Sequence, residues 1–125
     1  MASKLNLTDT VIGDSLSLPL VFKDESGEPI DISGRTFWFT LKLNPQVPDD
    51  QADAQAVVIA PVDANSQNGE VFIGYTAEQT ENLNATSYNY DVQMATPIPG
   101  GEQEVKTIVY GRIRFVQQIT RSRLN

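Results

Sequence analysis

The chain has 125 residues and a net charge of −7 at pH 7, and it contains neither cysteine nor histidine. This length suits one domain that buries a sizeable core, while the two missing residue types exclude disulfides, thiolate metal sites and histidine-based acid–base or zinc chemistry. The sequence therefore favours a protein that is not an enzyme and carries no cofactor or metal, and the acidic balance disfavours nucleic-acid binding.

Alternating apolar residues predict two strands in the first third of the chain. The first inward row is Leu16, Leu18, Leu20 and Phe22. Pro19 lies within that strand and lacks a backbone N–H, so it predicts an edge strand or a bulge. A turn over residues 24–29 follows, closed by Gly27, and the second inward row is Phe37, Phe39, Leu41 and Leu43.

The middle of the chain predicts an exposed loop, two short strands and one helix. Residues 44–53 are polar and acidic, and Asp49, Asp50 and Asp53 match no calcium-loop spacing. Residues 57–59 form a short apolar strand, and a hairpin-like connection over residues 63–69 leads to a row of Val71, Ile73 and Tyr75. Thr76 and Gln79 form a capping box, which predicts a short helix near residues 77–83.

The last third predicts a long hairpin. Its first strand carries the inward row Tyr88, Tyr90, Val92 and Met94, its loop covers residues 96–101, and its second strand runs from about Val105 to Phe115. We therefore predict an all-β fold, a single antiparallel β-sandwich of about seven strands with one short helix. The predicted organisation is an N-terminal arm over residues 1–12, the sandwich over 13–116 and a basic C-terminal arm over 117–125.

The charge pattern predicts a negative end of the fold and a positive last strand and tail. Ten acidic residues and no basic ones lie between Lys42 and Lys106, whereas no acidic residue follows Glu104. Two interpretations stay open: a solvated acidic surface, or complementarity between copies or with an acidic partner. The arms are either frayed ends or docking segments, and Arg121 and Arg123 are the candidate docking residues of the basic arm.

The candidate interface residues lie on outward strand positions. On the last strand the outward parity holds Ile108, Tyr110, Arg112 and Arg114. Trp38 lies between two inward phenylalanines, so it either points outward into an interface or turns into the core through a bulge. We assign Tyr88 a structural role, as a corner residue, rather than a place in the interface.

Residues 84–90 resemble the tyrosine corner of immunoglobulin-like domains, with Tyr88 as the corner tyrosine. The order of further phrases resembles the immunoglobulin-like domain at the N-terminus of phage baseplate upper proteins and of related small virion proteins. These phrases are Gly13-Asp14, the segment 24–34, Thr76-Ala77-Glu78-Gln79-Thr80, Tyr88-Asn89-Tyr90-Asp91-Val92-Gln93, and Gly111 leading into Ile119-Thr120-Arg121.

This resemblance implies an immunoglobulin-like fold and a non-enzymatic structural role in a tailed-phage virion, as a capsid decoration, neck, tail or baseplate accessory subunit. The implied partners are other virion proteins and copies of itself, without nucleic acid, membrane or small-molecule substrate. The implied location is the virion, assembled in the host bacterial cytoplasm. The alternative is an immunoglobulin-like module that binds carbohydrate or the host cell surface, although the loops 44–53, 63–69 and 96–104 contain no aromatic residue.

Overall fold

The computed structural model describes residues 3–7, 9–44, 46–48 and 51–117. These residues form mostly β structure with two short helices. The elements in chain order are β1 (Ser3–Lys4), β2 (Thr10–Val11), β3 (Leu16–Val21), β4 (Thr36–Lys42), β5 (Ala54–Ile59), α1 (Ala64–Gln67), β6 (Glu70–Tyr75), α2 (Ala77–Glu81), β7 (Ser87–Pro97) and β8 (Gln103–Val116). Neither helix is long or apolar enough to cross a membrane, a finding that covers the described residues only.

The strands form two sheets. A six-stranded mixed sheet has the order β1-β8-β7-β4-β5, with β2 also paired to β8, and β3 pairs with β6 in a two-stranded antiparallel sheet. As the sequence predicted, Pro19 lies in an edge strand, because β6 is the only neighbour of β3 within the described residues. The predicted turn is also present, since Gly27 has a φ of 84° and its N–H donates to Asp24 O.

Both sheets contribute side chains to one core. Phe37, Phe39 and Leu41 of β4 are fully buried. The Phe39 ring lies 5.0 Å from the Tyr75 ring of β6 and 5.5 Å from the Tyr90 ring of β7, in tilted contacts. Full burial of an apolar side chain of this size stabilises a fold by about 1.5–3 kcal/mol. The predicted inward rows of β3, β4, β6 and β7 therefore meet in the same interior.

One predicted core residue is misplaced. Leu43 was assigned to the inward row of β4, but β4 ends at Lys42 and Leu43 is exposed. The Leu43 N–H donates to the carboxylate of Asp53 at 2.8 Å, in place of a strand partner. The apolar alternation of the sequence continues to Leu43, but the hydrogen-bonded strand ends at Lys42. Beyond the strand, the alternation no longer determines which face a side chain occupies.

The predicted hairpin-like connection over residues 63–69 is wrong. Asp63 caps helix α1 by accepting from Ser66 N at 2.8 Å, and Gly69 ends the segment with a φ of 77°. The flanking strands then join different partners, β5 pairing with β4 and β6 with β3. The turn signal was real, but a turn cannot specify which strands pair. The prediction of one helix is corrected to two for the residues that the structure describes.

The prediction of a purely antiparallel sheet with about seven strands is also corrected. The structure has eight strands in its described part, and the additional pairings come from the predicted N-terminal arm. Ser3 and Lys4 lie opposite Val109 and Tyr110, and Thr10 lies opposite Phe115, all in parallel register with β8. Strands of two residues carry too little alternation to be recognised in a sequence.

Thr80 of α2 links that helix to the turn before β3. Its buried hydroxyl donates to Asp14 O at 2.8 Å and accepts from Gly13 N at 3.0 Å. We expect Thr80→Val, which keeps the shape and removes the hydroxyl, to lower the free energy of unfolding by about 1–3 kcal/mol. Urea denaturation measures this loss. Thr96→Val on β7 is the control, and an equal loss there would contradict the assignment.

The ionisation of Tyr75 makes the stability of the fold depend on pH in the alkaline range. Burial raises its pKa above the ordinary 10.0, a hydrogen bond from Ala56 opposes the shift, and the charge of Asp91 adds to it. A tyrosine whose pKa is raised by folding contributes stability that is complete below its unfolded pKa and is lost as the pH rises above it. We therefore expect the unfolding free energy to fall above pH 10.0.

In Tyr75→Phe this contribution is absent, so the unfolding free energy should fall less steeply with pH than in the wild type. Denaturation in urea at a series of alkaline pH values measures the slope. Tyr110→Phe, at an exposed position, is the matched control. Parallel pH profiles for wild type and Tyr75→Phe would contradict the prediction.

Candidate interaction surface

The candidate surface is the outer face of the larger sheet, opposite the core. Trp38 lies on this face, because Phe37 and Phe39 on either side of it are fully buried toward the interior. Its strand neighbours are Val57 on β5 and Gln93 on β7. Trp38 is half-buried on that face, so the outward alternative describes its position. Its role in an interface stays a prediction.

A groove of mixed polar and apolar lining occupies the centre of the outer face. Its volume is about 280 Å³, and Thr40, Lys42, Asn89, Asp91 and Tyr110 are among its lining residues. Tyr110 is 44% exposed and lies opposite Asp91 in the β7–β8 ladder. The Lys42 ammonium donates to Val47 O at 2.8 Å, which anchors the loop after β4 at the end of the groove.

An area that combines apolar and amide side chains adjoins the groove. Trp38, Gln55, Gln93 and Val105 line a second shallow depression, and the neighbouring Val57 is 56% exposed. The outer face therefore combines aromatic, apolar and arginine side chains. Interfaces are enriched in aromatic residues and arginine relative to the remaining protein surface.

The predicted outward residues of β8 fall into two groups. Tyr110, Arg112 and Arg114 are exposed. Arg114 lies 3.9 Å from the Asp9 carboxylate, and both side chains are more than half exposed, so this ion pair contributes little to stability. Arg121 and Arg123 lie outside the described residues.

The predicted outward position of Ile108 is wrong. This residue is partly buried and packs against the core, although its parity predicted an outward position. The ladder explains the difference, because Val92 faces Val109 while the next residue, Gln93, faces Thr107. The extra residue in β8 forms a β-bulge, and a bulge reverses the alternation on one side of it.

Tyr88 forms the corner that its sequence context indicated. Its hydroxyl accepts from Asn84 N at 2.8 Å, four residues upstream, and its ring meets the Phe115 ring edge-on at 5.7 Å. The residue is almost fully buried. This contact fixes the approach of the chain to β7 and leaves the outer face to other residues.

The N-terminal segment covers the edge of β8. Leu5 N donates to Tyr110 O at 2.8 Å, and Leu7 N donates to Arg112 O at 2.9 Å. From the core side, the Tyr90 hydroxyl donates to Leu5 O at 2.5 Å. Tyr90 faces Gly111 in the ladder, and a Cβ at Gly111 would lie 2.0 Å from Leu5 O. Only glycine therefore lets the segment approach β8 this closely.

We expect Gly111→Ala to displace the N-terminal segment, because the added methyl group cannot fit beside Leu5 O. Hydrogen exchange at the Leu5 and Leu7 amides should accelerate by about tenfold or more, which reflects a local opening that costs about 1.4 kcal/mol less. Amides in the β3–β6 ladder provide the internal control. Unchanged protection at Leu5 would show that the segment does not depend on this contact.

Sequence reasoning missed a second apolar area, on the outer face of the smaller sheet. Phe72 of β6 is 63% exposed and lies opposite Pro19 of β3, beside the exposed Val21. The signal was present, because Phe72 has the opposite parity to the inward row of Val71, Ile73 and Tyr75. An outward position for Phe72 follows from that alternation.

Within the part of the chain that the structure describes, acidic residues form no group of three or more that could hold a metal ion.

Comparison with solved structures finds the N-terminal domain of phage TP901-1 ORF48, with a TM-score of 0.50 and 12% sequence identity. The match covers 90% of this chain and 96% of that domain. No family model and no curated protein sequence matches the chain. At this identity the likeness shows a shared fold, so the chain is similar in fold to a domain of a phage protein.

Proposed function

We propose that this protein is a non-enzymatic structural component of a tailed-phage virion that acts through protein–protein contacts. The observation that carries the proposal is the fold likeness to the N-terminal domain of phage TP901-1 ORF48, which extends over nearly the whole of both chains. A fold alone does not determine a function, so the exposed surfaces have to support the contacts.

The proposal includes an immunoglobulin-like sandwich. The order β8-β7-β4-β5 faces the β3–β6 pair across the core, and the Tyr88 hydroxyl ties its corner as in immunoglobulin domains. In this arrangement β1 and β2 extend the larger sheet beyond β8. Two sheets that share one core make a rigid body. Such a body suits a subunit that holds its neighbours at fixed positions and angles.

The outer face of the larger sheet is the proposed contact surface. Trp38, Tyr110 and Arg112 belong to the residue types that most often dominate the energy of protein interfaces. Their strands pair with several others, so the face is preorganised and binding orders few side chains. The proposed partners are other virion proteins and further copies of this chain, and the exposed basic side chains suit acidic partners.

The proposed location is the virion, with assembly in the host bacterial cytoplasm. A capsid decoration, neck, tail or baseplate accessory position fits a small rigid domain. Nucleic acid, membrane and small-molecule substrates have no place in this proposal.

The alternative function is recognition of carbohydrate or of the host surface. One observation favours it: the exposed Tyr110 ring borders the groove that also presents Asn89 and Asp91. An aromatic ring beside amide and carboxylate groups is a combination that suits a sugar. The groove lies on a sheet face, whereas the loops 44–53, 63–69 and 96–104 contain no aromatic residue.

The test is quantitative mass spectrometry of phage particles separated on a density gradient. We expect the protein to comigrate with assembled particles at a fixed copy number. Arg112→Glu should lower its incorporation by about tenfold or more, because arginine is enriched among the interface residues whose loss costs about 2 kcal/mol or more. Lys23→Glu, at an exposed basic position just beyond the end of β3, is the control.

Recovery only from the soluble fraction would overturn the virion proposal. If the purified protein then bound host cells, and Tyr110→Ala abolished that binding, the alternative function would replace it.

A further inference from the structure

The edges of the two sheets are not equally protected. The edge of β8 is covered by β1 and β2, and the edge of β3 carries Pro19, which cannot donate to a further strand. The larger sheet ends at β5, and within the described residues no other strand pairs with it. An unprotected edge strand is a template for pairing with another chain.

The sequence of β5 carries none of the usual protection. Its six residues, Ala54-Gln55-Ala56-Val57-Val58-Ile59, include no charge and no proline. Natural edge strands are commonly blocked by lysine, proline or bulges. Here the outward residues Val57 and Ile59 are instead exposed and β-branched, which favours pairing into a sheet.

The ladder directs a set of hydrogen-bonding groups at the free edge. Ala60 N donates to Arg35 O, which fixes the phase of the antiparallel β4–β5 pairing. Alternate residues of such a strand point their N–H and C=O groups away from the partner. In β5 these residues are Gln55, Val57 and Ile59.

We propose that β5 pairs antiparallel with β5 of a second copy of this chain, around a two-fold axis at Val57. In this register Val57 faces Val57 of the partner subunit, and Gln55 faces the partner subunit's Ile59. Both residues of each pair present their N–H and C=O groups, so the two ladders join into one continuous sheet.

Charge selects a second copy as the occupant. A two-fold interface brings each residue near the axis close to its own equivalent, so a charge there repels itself. The chain carries a net charge of −7, yet residues 54–62 contain no charged residue. The acidic residues Asp53 and Asp63 flank this stretch, which keeps them away from the axis.

The outer face gains continuity from the same pairing. Trp38 lies opposite Val57 in the β4–β5 ladder. Across the axis the row would run from Trp38 through two valines to the tryptophan of the second copy, which covers apolar surface that is exposed in one copy. This inference deepens the self-contact of the proposed function and rests on that part of it, but it concerns the purified protein and needs no phage particle.

Sedimentation velocity of the full chain over a range of concentrations is the first test. We expect a reversible dimer, and we expect Val57→Lys to raise its dissociation constant by about tenfold or more, because two lysines then meet at the axis. Val21→Lys introduces the same charge at a similarly exposed strand position on the smaller sheet and should leave the dimer intact. Circular dichroism confirms that both variants fold.

Cysteine cross-linking is the second test, and the chain has no native cysteine to interfere. Directly opposed residues that exchange backbone hydrogen bonds have Cα atoms about 5.5 Å apart, within the range of a disulfide. Val57→Cys should therefore form a disulfide-linked dimer under mild oxidation, and Val21→Cys should not.

A monomer at every concentration would overturn the inference, and so would a dimer that survives Val57→Lys and fails to cross-link at position 57. Either result leaves the particle experiment as a separate readout of the virion proposal. Conversely, a β5 dimer that never enters particles would remove the virion proposal and keep the dimer.

Discussion

The structure depends on the contact between Phe39 and two tyrosines. Phe39 lies at the centre of β4, and its ring meets Tyr75 from the smaller sheet and Tyr90 from β7. The Tyr75 hydroxyl also donates to Phe39 O, so the polar end of a buried ring is satisfied by the opposite sheet. Because Phe39 contacts the smaller sheet through Tyr75 and its own sheet through Tyr90, its outward neighbours are held on a rigid face.

The same tyrosine cluster controls an edge of the larger sheet. Tyr90 reaches past Gly111 to Leu5 O, so the core and the N-terminal segment share a hydrogen bond. A segment with only two-residue strands would otherwise be marginal. Within the described residues, the protein thus covers the edge of β8 with its own chain, stops the edge of β3 with Pro19, and leaves β5 and β6 without a further strand. For a proposed assembly subunit, an unprotected edge is a means of contact rather than a defect.

Two outer faces remain after the core is formed. The larger sheet presents Trp38, Tyr110 and arginines, and the smaller sheet presents Phe72 beside Val21. In a proposed virion subunit these faces can serve different neighbours. The fold is similar to that of a domain of a phage protein.

Alternation and turn chemistry in the sequence determined the inward rows apart from Leu43, the turn at Gly27 and the capping box at Thr76, because these depend on residues near one another in the chain. The sequence left two positions open for Trp38, and the tertiary structure decided for the outer face. Tertiary structure decided which strands pair, the parallel N-terminal strands and the bulge that turns Ile108 to the core. Those outcomes depend on contacts between distant residues, such as Leu5 with Gly111. A period-two pattern gives a face to each strand, but only packing decides where the ladder ends and which edge stays open.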